Sequence, residues 1–133
     1  MCIRDSVRER AGGERVVVLD AGMTELIRPM LYGADHPIEA LTSLGRPAGP
    51  TTGDGSVGST PARVDGPICE STDTLGRADL PPLRRGDLVA IGETGAYAAS
   101  MTSRYNGRPA APQVLVERDG SLVLGRRRGR AAG

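Results

Sequence analysis

The sequence has no lysine: every one of its seventeen cationic side chains is arginine. Chemistry that needs a lysine amine, Schiff-base formation above all, is therefore beyond what this polypeptide completes alone. Phe and Trp are absent as well, and Tyr occurs three times. A core must then be built from Val, Leu, Ile, Ala and Met, with little aromatic area to bury. Cysteine is scarce, at two residues, which excludes a disulfide framework and makes a reducing compartment the default. His36 is the single histidine, and without clustered Cys or Asp it makes no zinc site, so no metal is assigned. An excess charge of one sign is also missing. The formal balance is +1 at pH 7, so no whole-chain field argues for nucleic acid or for a membrane surface. No apolar run approaches the length of a spanning helix, no signal-peptide pattern opens the chain, and no Walker- or Rossmann-type glycine loop is present.

What remains is 133 residues, room for one domain, with 19 Gly and 10 Pro as frequent turn signals. Residues 1–6 have no periodicity and read as a non-native lead, so Cys2 carries no weight. Residues 7–10 and 15–20 read as two strands of a hairpin, with Gly12-Gly13 supplying positive φ at the turn. Residues 24–32 suggest a short irregular helical turn, and Pro29 places Arg28 at its boundary rather than inside it. A short strand is expected at 37–41. Residues 42–62 are mostly Gly, Pro, Ser and Thr, too little apolar area to offset ordering entropy, and read as a flexible surface insertion. Strand character resumes at 62–66 and runs into Pro67-Ile68-Cys69-Glu70-Ser71. Turn chemistry at 80–87 leads into a strand at 88–91, and residues 95–101 suit a tight turn or one helical turn. Residues 113–117 and 121–124 flank Asp119-Gly120 as a second hairpin, and 127–133 form a basic, disordered tail. Short strands without a long amphipathic helix predict an all-β, mostly antiparallel barrel or sandwich with short helical turns.

Few residues stand out as carriers of chemistry. Cys69-Glu70 follows a Gly66-Pro67 turn; a thiol beside a carboxylate in a loop suits a proton donor next to a cation binder. The same pair also reads as a small buried hydrophobe beside a solvated acid. Arg28 and Tyr32 stand four apart around Pro29, a planar fork and a phenol suited to a carboxylate, or else a surface cation and a core-edge aromatic. Tyr97 lies among small residues, which suits close approach by a ligand as well as plain packing. The basic run from Arg126 to Arg130 has no interleaved aromatics and reads as a solvated end rather than a phosphate contact.

Six blocks taken together resemble diaminopimelate decarboxylases. They are Val18-Leu19-Asp20-Ala21-Gly22-Met23, Leu26-Ile27-Arg28-Pro29-Met30-Leu31-Tyr32-Gly33, Gly66-Pro67-Ile68-Cys69-Glu70-Ser71-Thr72-Asp73, Leu80-Pro81-Pro82-Leu83 through Gly86-Asp87, Gly95-Ala96-Tyr97 with Ser100-Met101, and Ser103-Arg104-Tyr105-Asn106-Gly107-Arg108-Pro109. Their order and approximate spacing agree from Val7 to about Arg128. That family belongs to the alanine-racemase-like, fold-type III pyridoxal-phosphate enzymes, which join an N-terminal (β/α)8 barrel holding the cofactor lysine to a C-terminal β-domain. The resemblance implies that residues 7–126 are that β-domain, that the barrel is missing, and that the chain alone is inactive.

The resemblance also implies roles at matched positions. Cys69 would donate a proton to Cα after decarboxylation, and Glu70 would bind the distal ammonium of meso-diaminopimelate. Arg28 and Tyr32 would hold a substrate carboxylate, and Tyr97 would lie against substrate and pyridoxal 5'-phosphate. The family's active unit is a homodimer in which the Cys-Glu loop enters the partner's site; the expected product is L-lysine and the expected compartment a bacterial cytoplasm. Ornithine- and arginine-type relatives usually carry Asp after the Cys and lack the Arg-Pro-x-Leu-Tyr clamp. A decarboxylase domain of that type, or a non-catalytic all-β interaction module, stands as the alternative. The insertion at 42–62 is longer than the family pattern suggests and lies between the matched blocks.

Overall fold

The computed structural model describes residues 3–9, 12–41 and 58–127. The expectations for Met1 and Cys2, for 42–57 of the insertion and for 128–133 of the tail lie outside the described residues. Among the described residues eight strands form three sheets. Strands β1 (Ile3–Glu9), β2 (Arg15–Leu19), β4 (Thr60–Asp65) and β5 (Thr74–Leu80) make a four-stranded sheet in the order β1-β2-β4-β5. Strand β3 (Ile38–Leu41) pairs with β6 (Leu88–Ile91), and β7 (Gln113–Val116) pairs with β8 (Leu122–Arg126). Two short helices, α1 (Arg28–Tyr32) and α2 (Gly95–Ser100), and a 3-10 turn (Tyr105–Gly107) complete the fold. Among the described residues all pairings are antiparallel except β2 with β4, which run parallel with Val17 opposite Val64. The all-β, mostly antiparallel expectation thus holds.

Aliphatic burial holds the sheets together. Val17, Leu19, Ala62, Val64, Leu75 and Leu80 from the large sheet meet Ala40 and Val89 from the β3–β6 pair, with Leu26 and Ala98 closing the gaps. Each Val or Leu fully withdrawn from water here contributes about 1.5–3 kcal/mol before entropy is counted. Arg15 opens β2 and reaches across to the end of β5: its guanidinium donates to the Leu80 carbonyl at 2.6 Å and the Pro81 carbonyl at 2.5 Å. Partial burial lowers its pKa from the ordinary value.

Three boundaries differ from the sequence reading. The first strand begins at Ile3 rather than Val7; its pairing with β2 is irregular between Ile3 and Val7, so Ile3-Arg4-Asp5-Ser6 shows no period of two. The second strand of the large sheet's parallel pair starts at Thr60, so the last residues assigned to the insertion belong to β4, and Ala62 is fully buried. At the chain's far end, Arg126 is not solvated and frayed but sits in β8 with its guanidinium on the Ala111 carbonyl at 3.0 Å. Strand β5 was not legible at all. A bulge where Val64 pairs with Gly76 and Asp65 with Thr74 puts Leu75 out of step with Ala78 and Leu80, and the alternation that marks a strand is lost.

Candidate functional site

Helix α1 exists to present two side chains. Pro29 fits the first turn, where its missing N–H costs nothing, and Gly33, at φ 62, ends the helix by donating to the Pro29 carbonyl at 3.0 Å. Arg28 and Tyr32, four apart, therefore share one face. The tight turn before α2 then brings Tyr97 to the same place. The Arg28 guanidinium carbon lies 5.9 Å from the Tyr97 ring centroid, within cation–π reach, and the Tyr32 and Tyr97 phenols hydrogen-bond one another. That bond raises the Tyr32 pKa above its ordinary value, followed by the neighbouring phenol's charge and burial, while Arg28 opposes them. Arg28 Nε is buried and has no hydrogen-bond partner among the described residues. A guanidinium within cation–π distance of one phenol and close to a second is chemistry that suits a carboxylate.

Cys69 and Glu70 lie at the tip of the loop between β4 and β5, and both are exposed. What holds the loop is Asp73, which is 2% exposed. Its carboxylate accepts from the Ile68 N–H at 2.7 Å and from the Met23 N–H at 2.6 Å, and its carbonyl accepts from the Gly66 N–H at 2.8 Å. Gly22 and Gly66 leave the space this needs: a Cβ on either would fall 2.3 Å from an Asp73 carboxylate oxygen. With the acid pointing inward, the thiol and the next carboxylate are turned outward. They line an open cleft of roughly 580 Å3 together with Arg8, Val16, Val18 and Arg63.

A third segment, the matched block at 103–109, for which the residues alone suggest no role, completes the arrangement. Tyr105 donates from its phenol to Glu70 Oε1 at 2.7 Å, and this bond raises the Tyr105 pKa. The turn that carries it is anchored by Ser103 N–H on the Thr24 carbonyl at 3.0 Å and by Arg108 on the Asp20 carbonyl at 2.5 Å. Residues 20–25, 66–73 and 103–108 are thus fastened pairwise. A tyrosine followed by Asn-Gly is the one local sign that such a turn would aim a phenol.

The predicted residues fall into two groups. Arg28, Tyr32 and Tyr97 come together; Cys69 and Glu70 come together elsewhere, and the cleft they line includes none of the first three. His36 takes no part in either, its Nδ1 lying 3.2 Å from the Gly92 carbonyl oxygen. Among the described residues no three His, Cys, Asp or Glu side chains gather as metal ligands, and no helix is long and apolar enough to cross a membrane.

Comparison with known proteins bears on the chain's family. A family model for the pyridoxal-dependent decarboxylase C-terminal sheet domain matches residues 2–95. The diaminopimelate decarboxylase of Helicobacter pylori is 42% identical over 111 residues, 82% of this chain and 25% of that protein. That of Escherichia coli K12 is 36% identical over 129 residues, 90% of this chain and 29% of that protein. Among solved structures, a diaminopimelate decarboxylase superposes with a TM-score of 0.81 at 35% identity, over 98% of this chain and 31% of that one. The Helicobacter pylori enzyme complexed with L-lysine gives 0.77 at 35% identity, over 98% and 28%. A lysine/ornithine decarboxylase from Vibrio vulnificus, 22% identical with a TM-score of 0.60, shares the fold. The chain spans between a quarter and a third of the length of the diaminopimelate decarboxylases it matches.

Proposed function

This chain belongs to the C-terminal sheet domain family of the pyridoxal-dependent decarboxylases, and from that premise we propose that it is the β-domain of a diaminopimelate decarboxylase. The complete enzyme converts meso-2,6-diaminopimelate to L-lysine and CO2 in a bacterial cytoplasm, and the domain alone is inactive. The observation that carries this reading is the Arg28–Tyr97–Tyr32 group, a guanidinium gathered with two exposed phenols. Such a receptor suits a substrate with a carboxylate at its non-reacting end, which ornithine and arginine do not have.

The cofactor fits this chain only in part. No lysine is available to hold pyridoxal phosphate, whereas the exposed Tyr97 ring presents a face against which it would rest. When bound, pyridoxal phosphate supplies the sink for the electrons released as CO2 leaves. The chain's own residues do the remaining work. Arg28 and Tyr32 hold the distal carboxylate, and Glu70 accepts from the distal ammonium, so each charge leaving water meets a partner. Cys69 Sγ gives its proton to the carbon that lost CO2 and regains one from solvent.

The same reading makes the active unit a homodimer. In one chain the thiol and carboxylate line a cleft apart from the Arg28 group, and both groups face solvent, so a site that needs all five residues is assembled from two copies. Mixing full-length Cys69→Ala with full-length Arg28→Ala enzyme tests this. Each variant alone is inactive on meso-diaminopimelate, while subunit exchange restores about a quarter of wild-type turnover, one sound site in half the dimers. A mixture as inactive as its parents removes the shared site, and equal turnover of ornithine or arginine by the wild type removes the substrate.

A further inference from the structure

We propose that Tyr105 is a positioning and specificity residue of this site: its phenol holds Glu70 in the one orientation that accepts the distal ammonium. The inference rests on the reading of Glu70 given above and deepens it. A glutamate at a loop tip has three free torsions and, left to itself, spreads its charge over a wide arc. Here the phenol takes Oε1 at 2.7 Å, a normal O–H···O length to an acceptor that carries charge. Among the described residues Oε2 takes no hydrogen bond and remains for a ligand.

Tyr105 is itself well placed to act as a fixed post. Its turn has Asn106 and Gly107 both in the left-handed region, at φ 59 and 68. Ser103 on Thr24 and Arg108 on Asp20 tie that turn to the strand-end loop that Asp73 also grips through Met23. Glu70 is therefore held from both sides, its backbone by the Asp73 loop and its carboxylate by Tyr105. The bond to Glu70 raises the phenol's pKa, which favours the proton-bearing, donating form of Tyr105. A primary ammonium needs an acceptor at one point in space, and a wandering carboxylate discriminates poorly between ligands that differ there.

The test compares Tyr105→Phe, Glu70→Gln and the double variant in the full-length enzyme. The readouts are kcat and KM for meso-diaminopimelate and, independently of turnover, the calorimetric Kd for L-lysine, which keeps the distal amino-acid end. Tyr105→Phe is expected to raise KM and Kd about 5–10-fold with kcat within about twofold. Added to Glu70→Gln, it is expected to change either constant less than about twofold, because the group it positions is already gone. Glu70→Gln raising both constants while Tyr105→Phe moves neither overturns the role of Tyr105 and leaves the substrate reading standing. Glu70→Gln moving neither overturns the substrate reading and the inference with it. A Tyr105→Phe effect that lowers kcat and the melting temperature together, and adds in full to Glu70→Gln, marks a merely structural tyrosine and also overturns the inference.

Discussion

Among single residues, the proposed roles divide most sharply between Cys69 and its neighbour. A proton donor acts as the new C–H bond forms, whereas a charge partner acts from the moment the substrate docks. Cys69→Ala in the full-length enzyme is accordingly expected to lower kcat at least about a hundredfold while KM moves a few-fold at most; steady-state kinetics on meso-diaminopimelate would show it, and an unchanged kcat would take the thiol out of the reaction. The phenols carry a pH prediction. Hydrogen bonding, to Glu70 for Tyr105 and to Tyr97 for Tyr32, raises both pKa values above 10.0. A raised folded value means that the stabilisation is complete below the free-tyrosine range and fades only as pH climbs through the folded value. The phenolate absorbance lost in Tyr105→Phe is thus expected above the range of free tyrosine, and Glu70→Gln should return it to that range.

At the scale of elements, one carboxylate organises two loops. Asp73→Asn keeps the shape but loses an acceptor for one of two buried N–H groups, and Gly66→Ala drives a Cβ into the acid. Each is expected to cost about 1–3 kcal/mol in urea denaturation. Because both disturb the same contact, their double variant should fall well short of the sum. Much of this level was legible in the residues. Turn chemistry placed β6 at Leu88–Ile91 and the hairpin around Asp119-Gly120, Pro29 put Arg28 at a boundary although the helical turn expected from residue 24 begins only there, and the small residues before Met101 marked α2. Strand β5 was hidden because its bulge breaks the period of two, and Gly76 and Asp79 are weak strand formers. Tyr105 was hidden for another reason: its meaning lies in a contact thirty-five residues away, which no local pattern encodes. Arg28, Tyr32 and Tyr97 were recognisable from their motifs, but that Tyr97 lies under Arg28 follows from the fold alone.

For the molecule as a whole, the β7–β8 hairpin is the incomplete part. Val114, Val116, Leu122 and Leu124 project from one face and Leu115 and Val123 from the other, all at least 46% exposed. A two-stranded ribbon with apolar side chains on both faces is marginal by itself in water and is a surface made to be covered. The 133-residue chain is therefore expected to bind a hydrophobic dye such as ANS and to self-associate, and Leu122→Arg with Leu124→Arg should suppress both while changing the unfolding free energy by less than about 0.5 kcal/mol. Dye binding unchanged by the two arginines would place the sticky surface elsewhere. The parallel pairing of β2 with β4 has a consequence of its own. Every residue from 20 to 59 lies on the crossing between those two strands, and β3, within that crossing, pairs with β6 beyond it. A peptide bond cut anywhere between 42 and 57 would leave two pieces, each holding one member of both strand pairs. Neither piece could depart without unzipping two sheets at once, so the nicked domain is clasped shut like two halves of a buckle.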